Sequence, residues 1–170
     1  MSGNVARRNA EASVVTGGEA LNLSGAPSAG TFYASTLLRC ESPGSAEAVH
    51  AIAAFGPVAT IMPYADLSEA VALANAGKGS LALSIFSHDP TFISGLVSGG
   101  SIFHGRMMIV DRDSAADATG HGSALPHLQH GGPGRAGGGA ELGGFIGMMP
   151  YRQRTALQAA PATFDLLAGV

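Results

Sequence analysis

Gly132-Pro-Gly134-Arg-Ala-Gly137 has the spacing of a dinucleotide fingerprint, in which glycines let the backbone approach a pyrophosphate at a helix N-terminus. Its surroundings lack the rest of that device. His127-Leu-Gln-His130 is no apolar strand, Pro133 interrupts the turn, and beyond Glu141 the next acid is Asp165, too far along for a ribose. No lysine followed by serine or threonine marks a P-loop either. The segment reads as a loop that needs several positive φ angles. His121, His127 and His130 lie close together, but no cysteine or carboxylate joins them at the spacing of a tetrahedral zinc site, so they read as loop polarity. Cys40 could be a nucleophile only beside a base or a positive field. Its neighbour Arg39 points to the opposite face of a strand, which makes Cys40 a structural thiol. Asp111, Asp113 and Asp117 read as a solvated acidic run. His50, His88 and His104 are scattered and read as hydrogen-bonded boundary residues.

The elements that must position these residues follow from pattern. Residues 1–12 read as the tail of a helix, and Ser13-Val14-Val15 as a short strand ending at Gly17-Gly18. After a loop over 19–31, Thr36 to Leu38 is a second apolar run. Val58 to Tyr64 is a β-type run. Asp66 with Glu69 makes a capping box for a helix on Leu67, Ala70, Val71 and Ala74, stopped by Gly77 and Gly79. Leu81 to Phe86 predicts a strand, and Asp89-Pro90 opens a helix on Phe92, Ile93, Leu96 and Val97, stopped by Gly99-Gly100. Met107 to Val110 predicts another strand. Strand and helix alternating at this spacing predict an α/β fold with a mostly parallel sheet and crossover helices. Nine glycines then crowd residues 131–147. Tyr151 to Gln158 predicts a closing edge strand, and residues 159–170 a linker or frayed tail.

Length and composition bound the rest. At 170 residues the chain suits one domain, and 46% apolar residues can furnish its core. Charged residues are only 12%, about half the usual share, so much of the surface is expected to be covered by other protein. A net charge of -3 gives no footprint for nucleic acid or anionic lipid. One cysteine forms no internal bridge, and no secretory leader or 18-residue apolar run is read, so the expected address is the cytoplasm, off the membrane.

Several strings together are more specific. Gly30-Thr-Phe-Tyr-Ala-Ser-Thr-Leu-Leu-Arg-Cys40, Ala54-Phe-Gly-Pro-Val-Ala-Thr60 and Asp66-Leu-Ser-Glu-Ala-Val-Ala-Leu-Ala-Asn75 resemble the aldehyde dehydrogenase superfamily in order and spacing. His121-Gly-Ser-Ala-Leu-Pro, His130-Gly-Gly-Pro-Gly-Arg-Ala-Gly-Gly-Gly139, Glu141-Leu-Gly-Gly and Tyr151-Arg-Gln-Arg-Thr-Ala narrow the likeness. They resemble the aldehyde dehydrogenase domain of phenylacetate-degradation ring-opening proteins, from about Val5 to Pro161.

The resemblance implies that residues 1–160 are the C-terminal segment of an aldehyde dehydrogenase catalytic domain. It makes the closing strand an oligomerisation-type edge and leaves 161–170 as tail. In that family a thiolate attacks the aldehyde, hydride passes to NAD or NADP, and a base-activated water releases the acid. The nucleophile and the base lie upstream of the matched region, so no catalytic residue and no metal ligand is assigned here, and the isolated chain is expected to be inactive. The implied partner is a missing N-terminal half or further copies in a homo-oligomer. Phe55 matches the family phenylalanine beside the nicotinamide and is the one cofactor-binding residue expected. Two residues earlier the family carries a ribose-binding glutamate, where this chain has Ala53. Ser35, Asp111, Ala140 and Pro150 depart from the pattern as well. A chain that keeps the sheet without the chemistry is the alternative, a non-catalytic remnant or interaction module.

Overall fold

Aspartates open the two long helices, and short aliphatic runs form the strands, in a computed structural model that describes residues 7–8, 10–18, 24–25, 32–120, 128, 130–137, 140–141, 148–149, 151–152, 156 and 158–168. In chain order the elements are β1 (Ser13–Thr16), β2 (Thr36–Arg39), α1 (Ala48–Ala51), β3 (Val58–Ile61), α2 (Leu67–Ala76), β4 (Ser80–Phe86), α3 (Pro90–Gly100), β5 (His104–Val110), β6 (His130–Gly131), β7 (Ala140–Glu141) and α4 (Pro161–Ala168). The Asp66 carboxylate accepts from the Glu69 N–H at 2.9 Å, and Glu69 reaches back to the Ala65 N–H at 2.7 Å, so the capping box forms one residue wider than its usual reciprocal pair. Asp89 caps α3 through the Thr91 N–H at 2.8 Å, with Pro90 at the first helical position. Asp89→Ala is expected to lower the unfolding free energy by about 1 kcal/mol, read as a fall in the urea midpoint.

Of the parallel pairs expected from the alternation, β4 with β5 is present, the described strands show no ladder between β3 and β4, and β3 pairs instead with the preceding strand β2. Thr36 to Arg39 of β2 face Val58 to Ile61 of β3, and β4 runs beside β5 from Ser80 opposite His104 to Phe86 opposite Val110. β1 joins β2 antiparallel, with an irregularity between Val14 and Thr16. The expected single sheet is corrected: the described strands fall into three, ordered β1-β2-β3, β4-β5 and β6-β7. Hydrophobic period fixes which face of a strand is buried, but the choice of neighbour is a long-range matter it does not encode. The terminal tail is also corrected, since Pro161–Ala168 is helical, with its proline at the start, where the missing N–H leaves no intrahelical bond unmade. Of the expected closing strand, Tyr151 and Arg152 lie in a turn, and residues 153–155 and 157 fall outside the described residues.

Two apolar clusters hold these layers. Leu38 and Cys40 of the β2 segment pack with Ala12 and Val49. Ile85 of β4 packs with Ala70 of α2 and Leu96 of α3. The two helices approach closely because α3 offers Gly95 and Gly99 to Leu67 and Val71, and a Cβ at Gly99 would stand 2.6 Å from Val71 Cγ1. None of the described helices is long and apolar enough to cross a membrane.

Candidate functional site

Phe55 stands on the turn between α1 and β3. It is 88% exposed at φ 48°, a left-handed conformation that a bulky residue adopts only under constraint. The constraint is visible on both sides. Pro57 O accepts from the Thr36 N–H of β2 at 2.8 Å, the Val58 N–H closes back onto Gly56 O at 2.7 Å, and Ala54 is buried. An open pocket of about 450 Å³ beside the turn is lined by Thr16, Thr36, Gly56, Pro57 and Val58.

On the other side the turn hangs from α1, whose four residues are too few to stay helical alone. Its N-terminus is capped from a distance by Glu11, whose carboxylate accepts from the N–H groups of Glu47 at 3.0 Å and Val49 at 3.1 Å. Hydrogen bonds from the Ala48 and Glu47 backbone hold that carboxyl below the ordinary carboxylate range. At the carbonyl end, Arg8 donates to Val49 O at 2.7 Å, while Arg135 donates to His50 O at 3.4 Å and to Ala51 O. An anion at the amide end and two cations at the carbonyl end match the helix dipole. Sequence reading missed Arg8, Glu11 and Arg135, because partners 36 to 85 residues away leave no local signal.

The glycine loop proves to be internal structure. The Arg135 N–H donates to Lys78 O at 2.9 Å, the Ala136 N–H to Pro133 O at 3.1 Å and the Gly137 N–H to Gly134 O at 3.4 Å. Three of the amides that the fingerprint spacing would offer to a pyrophosphate are thus already occupied within the protein. His130 pairs with Glu141 in the backbone ladder of β6 and β7, whereas His121 and His127 fall outside the described residues.

Cys40 is 1% exposed, with its N–H bonded to Ile61 O at 2.9 Å, a packing position closed to substrate. His88 meets Asp111 and Asp113, their ligand-type atoms all within 4.8 Å, a juxtaposition hidden by 22 intervening residues. Asp111 is engaged in closing its own turn, accepting from the Ser114 hydroxyl at 2.8 Å and the Ser114 N–H at 2.9 Å, which draws its pKa down.

His104 is 8% exposed, with Nδ1 2.6 Å from the Ser80 hydroxyl. Burial depresses its pKa below the ordinary imidazole value, and a hydrogen bond to the Ala74 backbone opposes that. The fold therefore favours the neutral ring, so its contribution is complete above the unfolded pKa of about 6.5 and is lost as pH falls below it toward the folded value. The urea midpoint is expected to fall between pH 7 and 5, and less so in His104→Gln. Glu11, Asp66 and Asp111, all lowered, lose their contribution only at more acid pH.

Comparison with known proteins supplies the family. The profile of the aldehyde dehydrogenase family matches residues 4–120, more than half of the chain. Protein MaoC of Klebsiella aerogenes is 51% identical over 148 residues, covering 87% of this chain and 43% of that protein. A 3,4-dehydroadipyl-CoA semialdehyde dehydrogenase of Aromatoleum evansii is 44% identical over 133 residues, 76% of this chain and 25% of that protein. The chain spans less than half the length of these relatives. Among solved structures, lactaldehyde dehydrogenase from Escherichia coli superposes with a TM-score of 0.66 at 24% identity, over 89% of this chain and 28% of that one. Succinic semialdehyde dehydrogenase from Streptococcus pyogenes, in complex with NADP+, gives 0.61 at 22%, over 84% and 28%. At such identities the structural likeness speaks for the fold, and with the family match over residues 4–120 it shows that the chain belongs to the aldehyde dehydrogenase family.

Proposed function

We propose that this chain supplies the C-terminal portion of an NAD(P)-dependent aldehyde dehydrogenase catalytic domain. Its substrate class is a CoA-linked semialdehyde of the kind aromatic ring cleavage yields, as in phenylacetate degradation, oxidised to the acid in the reducing cytoplasm. The observation that carries this reading is Phe55, a phenylalanine 88% exposed on a turn strained at φ 48° and anchored from β2 and α1. An exposed ring carried on so firmly anchored a backbone fits the face of a planar nicotinamide. The glycine loop fits the pyrophosphate poorly, since its Arg135, Ala136 and Gly137 N–H groups are internally bonded. The cofactor, when bound, supplies the hydride acceptor; Phe55 orients its ring and keeps water from that face. The nucleophilic thiol and the general base come from a segment outside these residues, consistent with Cys40 being walled into the core.

The test mixes this chain with the separately produced N-terminal part of the Aromatoleum evansii relative, its CoA-linked semialdehyde and NAD+ or NADP+. Absorbance of reduced nicotinamide is expected from the mixture and from neither part alone. Turnover by the isolated chain would overturn the reading.

Ala53 favours a second reading, a non-catalytic module that keeps the fold and assembles with itself. The two separate through restoration of the carboxylate. Ala53→Glu is expected to tighten NAD(P) binding in the mixed enzyme by about 1.5–3 kcal/mol, roughly 10- to 150-fold, measured by isothermal titration. A module without cofactor would show no such gain, and light scattering would find it as a defined oligomer of this chain alone.

A further inference from the structure

Two loops leave the carboxyl ends of neighbouring parallel strands side by side. β4 and β5 stay in register to Phe86 opposite Val110, and the Ser87 N–H extends the ladder onto Val110 O at 3.2 Å. His88 on one strand and Asp111 to Asp113 on the other therefore emerge together. In open α/β sheets this end of the strands is where ligands are held. Both loops are fixed from within the chain. The Ser87 hydroxyl accepts from the Asp89 N–H at 3.1 Å, and Asp89 in turn caps α3, so His88 sits between anchored neighbours. On the other loop, Asp111 Oδ1 accepts from the N–H groups of Asp113 at 3.0 Å and Ser114 at 2.9 Å, and from the Ser114 hydroxyl at 2.8 Å. One carboxylate oxygen thus closes the turn and leaves the other, Oδ2, to a ligand. Among the described residues the His88 ring makes no hydrogen bond. His50 and His104, by contrast, each spend a ring nitrogen on a neighbour, Pro43 O at 2.8 Å and the Ser80 hydroxyl at 2.6 Å.

We propose that His88, Asp111 and Asp113 form a binding site for a divalent transition-metal ion of the zinc type. One ligand atom from each residue lies within 4.8 Å of the other two, and His88 and Asp113 are exposed while Asp111 is half-buried, so an ion can reach them. Ligands about 2.1 Å from a tetrahedral zinc ion stand about 3.4 Å apart, a closure that exposed side chains reach by rotation about χ1 and χ2. Two aspartates alone would be a solvated pair. The histidine changes the chemistry, because an imidazole nitrogen favours zinc and its late first-row neighbours over magnesium and calcium, which take oxygen sets. The two carboxylates balance the charge of the ion, and three protein ligands leave a fourth position for water or an anionic group. Such a site stands whether or not the chain takes part in dehydrogenase chemistry.

Isothermal titration of the full chain, stripped of metal by a chelator, with zinc chloride is the test. One equivalent is expected to bind, at least about tenfold more tightly than magnesium. His88→Ala and Asp113→Asn are each expected to weaken zinc by at least about tenfold. Asp111→Asn keeps an oxygen for the turn while removing the charge. It should weaken zinc likewise with an unchanged urea midpoint, which separates a lost ligand from a lost fold. Absence of zinc binding would overturn the proposal, and so would magnesium bound equally well. Undiminished zinc affinity in His88→Ala would overturn it too, by placing the ion on His121, His127 and His130 instead. Cobalt gives a second readout: the visible absorbance of a four-coordinate ion is expected in the wild-type chain and not in His88→Ala, and its persistence there would count equally against the site.

Discussion

Gly79→Val is expected to lower the unfolding free energy by about 3–5 kcal/mol, enough to leave much of the chain unfolded at room temperature. Gly79 sits at φ +144°, and a Cβ there would overlap Pro133 O and stand 2.5 Å from the Arg135 N and 3.0 Å from the Ala136 N. Each obstacle is backbone, so nothing can rotate aside. The corner between α2 and β4 meets the loop 131–137 backbone on backbone, since a Cβ at Gly134 would run into Lys78 O, and β5 meets the same loop likewise, since a Cβ at Gly105 would run into Gly131 O. Arg135 reaches the α1 carbonyls from this loop, so opening the clamp also releases the Phe55 turn. Gly44→Ala is the control, since nothing lies within 4 Å of its added Cβ, and it should change stability by less than about 0.5 kcal/mol. Urea titration followed by far-ultraviolet circular dichroism measures both. If Gly79→Val matched the control, the clamp would not hold in solution.

The same residues show what a sequence makes legible. Asp66 with Glu69, and Asp89 with Pro90, announce helices because a cap is a local bond three residues long. The strands at Leu81 and Val58 are equally plain, since aliphatic runs between glycine and proline have few other uses. The resemblance over Gly30–Cys40 and Ala54–Thr60 led to the family, which the profile match shows. What stayed hidden is long-range. β5 begins at His104, ahead of the expected Met107, because its first residues are histidine, glycine and arginine, and pairing with Ser80 recruits them. The two-residue strands β6 and β7 are too short to show any period. Phe55 was named from resemblance, but the agents that hold its turn lie at residues 8, 11 and 135. Arg135 occupies a position that the fingerprint treats as variable, which drew attention to the glycines around it.

Leu38→Ala, the other large effect, is expected to destabilise by about 2–5 kcal/mol. Leu38 is fully buried, against Ala12, Cys40 and Val49, with Ala46, Val58 and Met62 at the margin. These neighbours cannot close the cavity easily. β2 is tied to β1 on one side and β3 on the other, and Val49 is pinned by Glu11 at its N–H and Arg8 at its carbonyl. Leu38→Met, which keeps the volume, should cost less than about 1.5 kcal/mol by the same urea titration. The substitution also discriminates between two ways of holding Phe55. A left-handed phenylalanine persists only while its surroundings over-determine it. If packing beneath α1 supplies that constraint, Leu38→Ala will speed amide exchange at Val49 to Ile52 even where the chain remains folded, and turnover of the mixed enzyme will fall further than the folded fraction does. If exchange there is unchanged, the polar clasp of Glu11, Arg8 and Arg135 suffices by itself, and the apolar core serves stability without setting the geometry of the Phe55 turn.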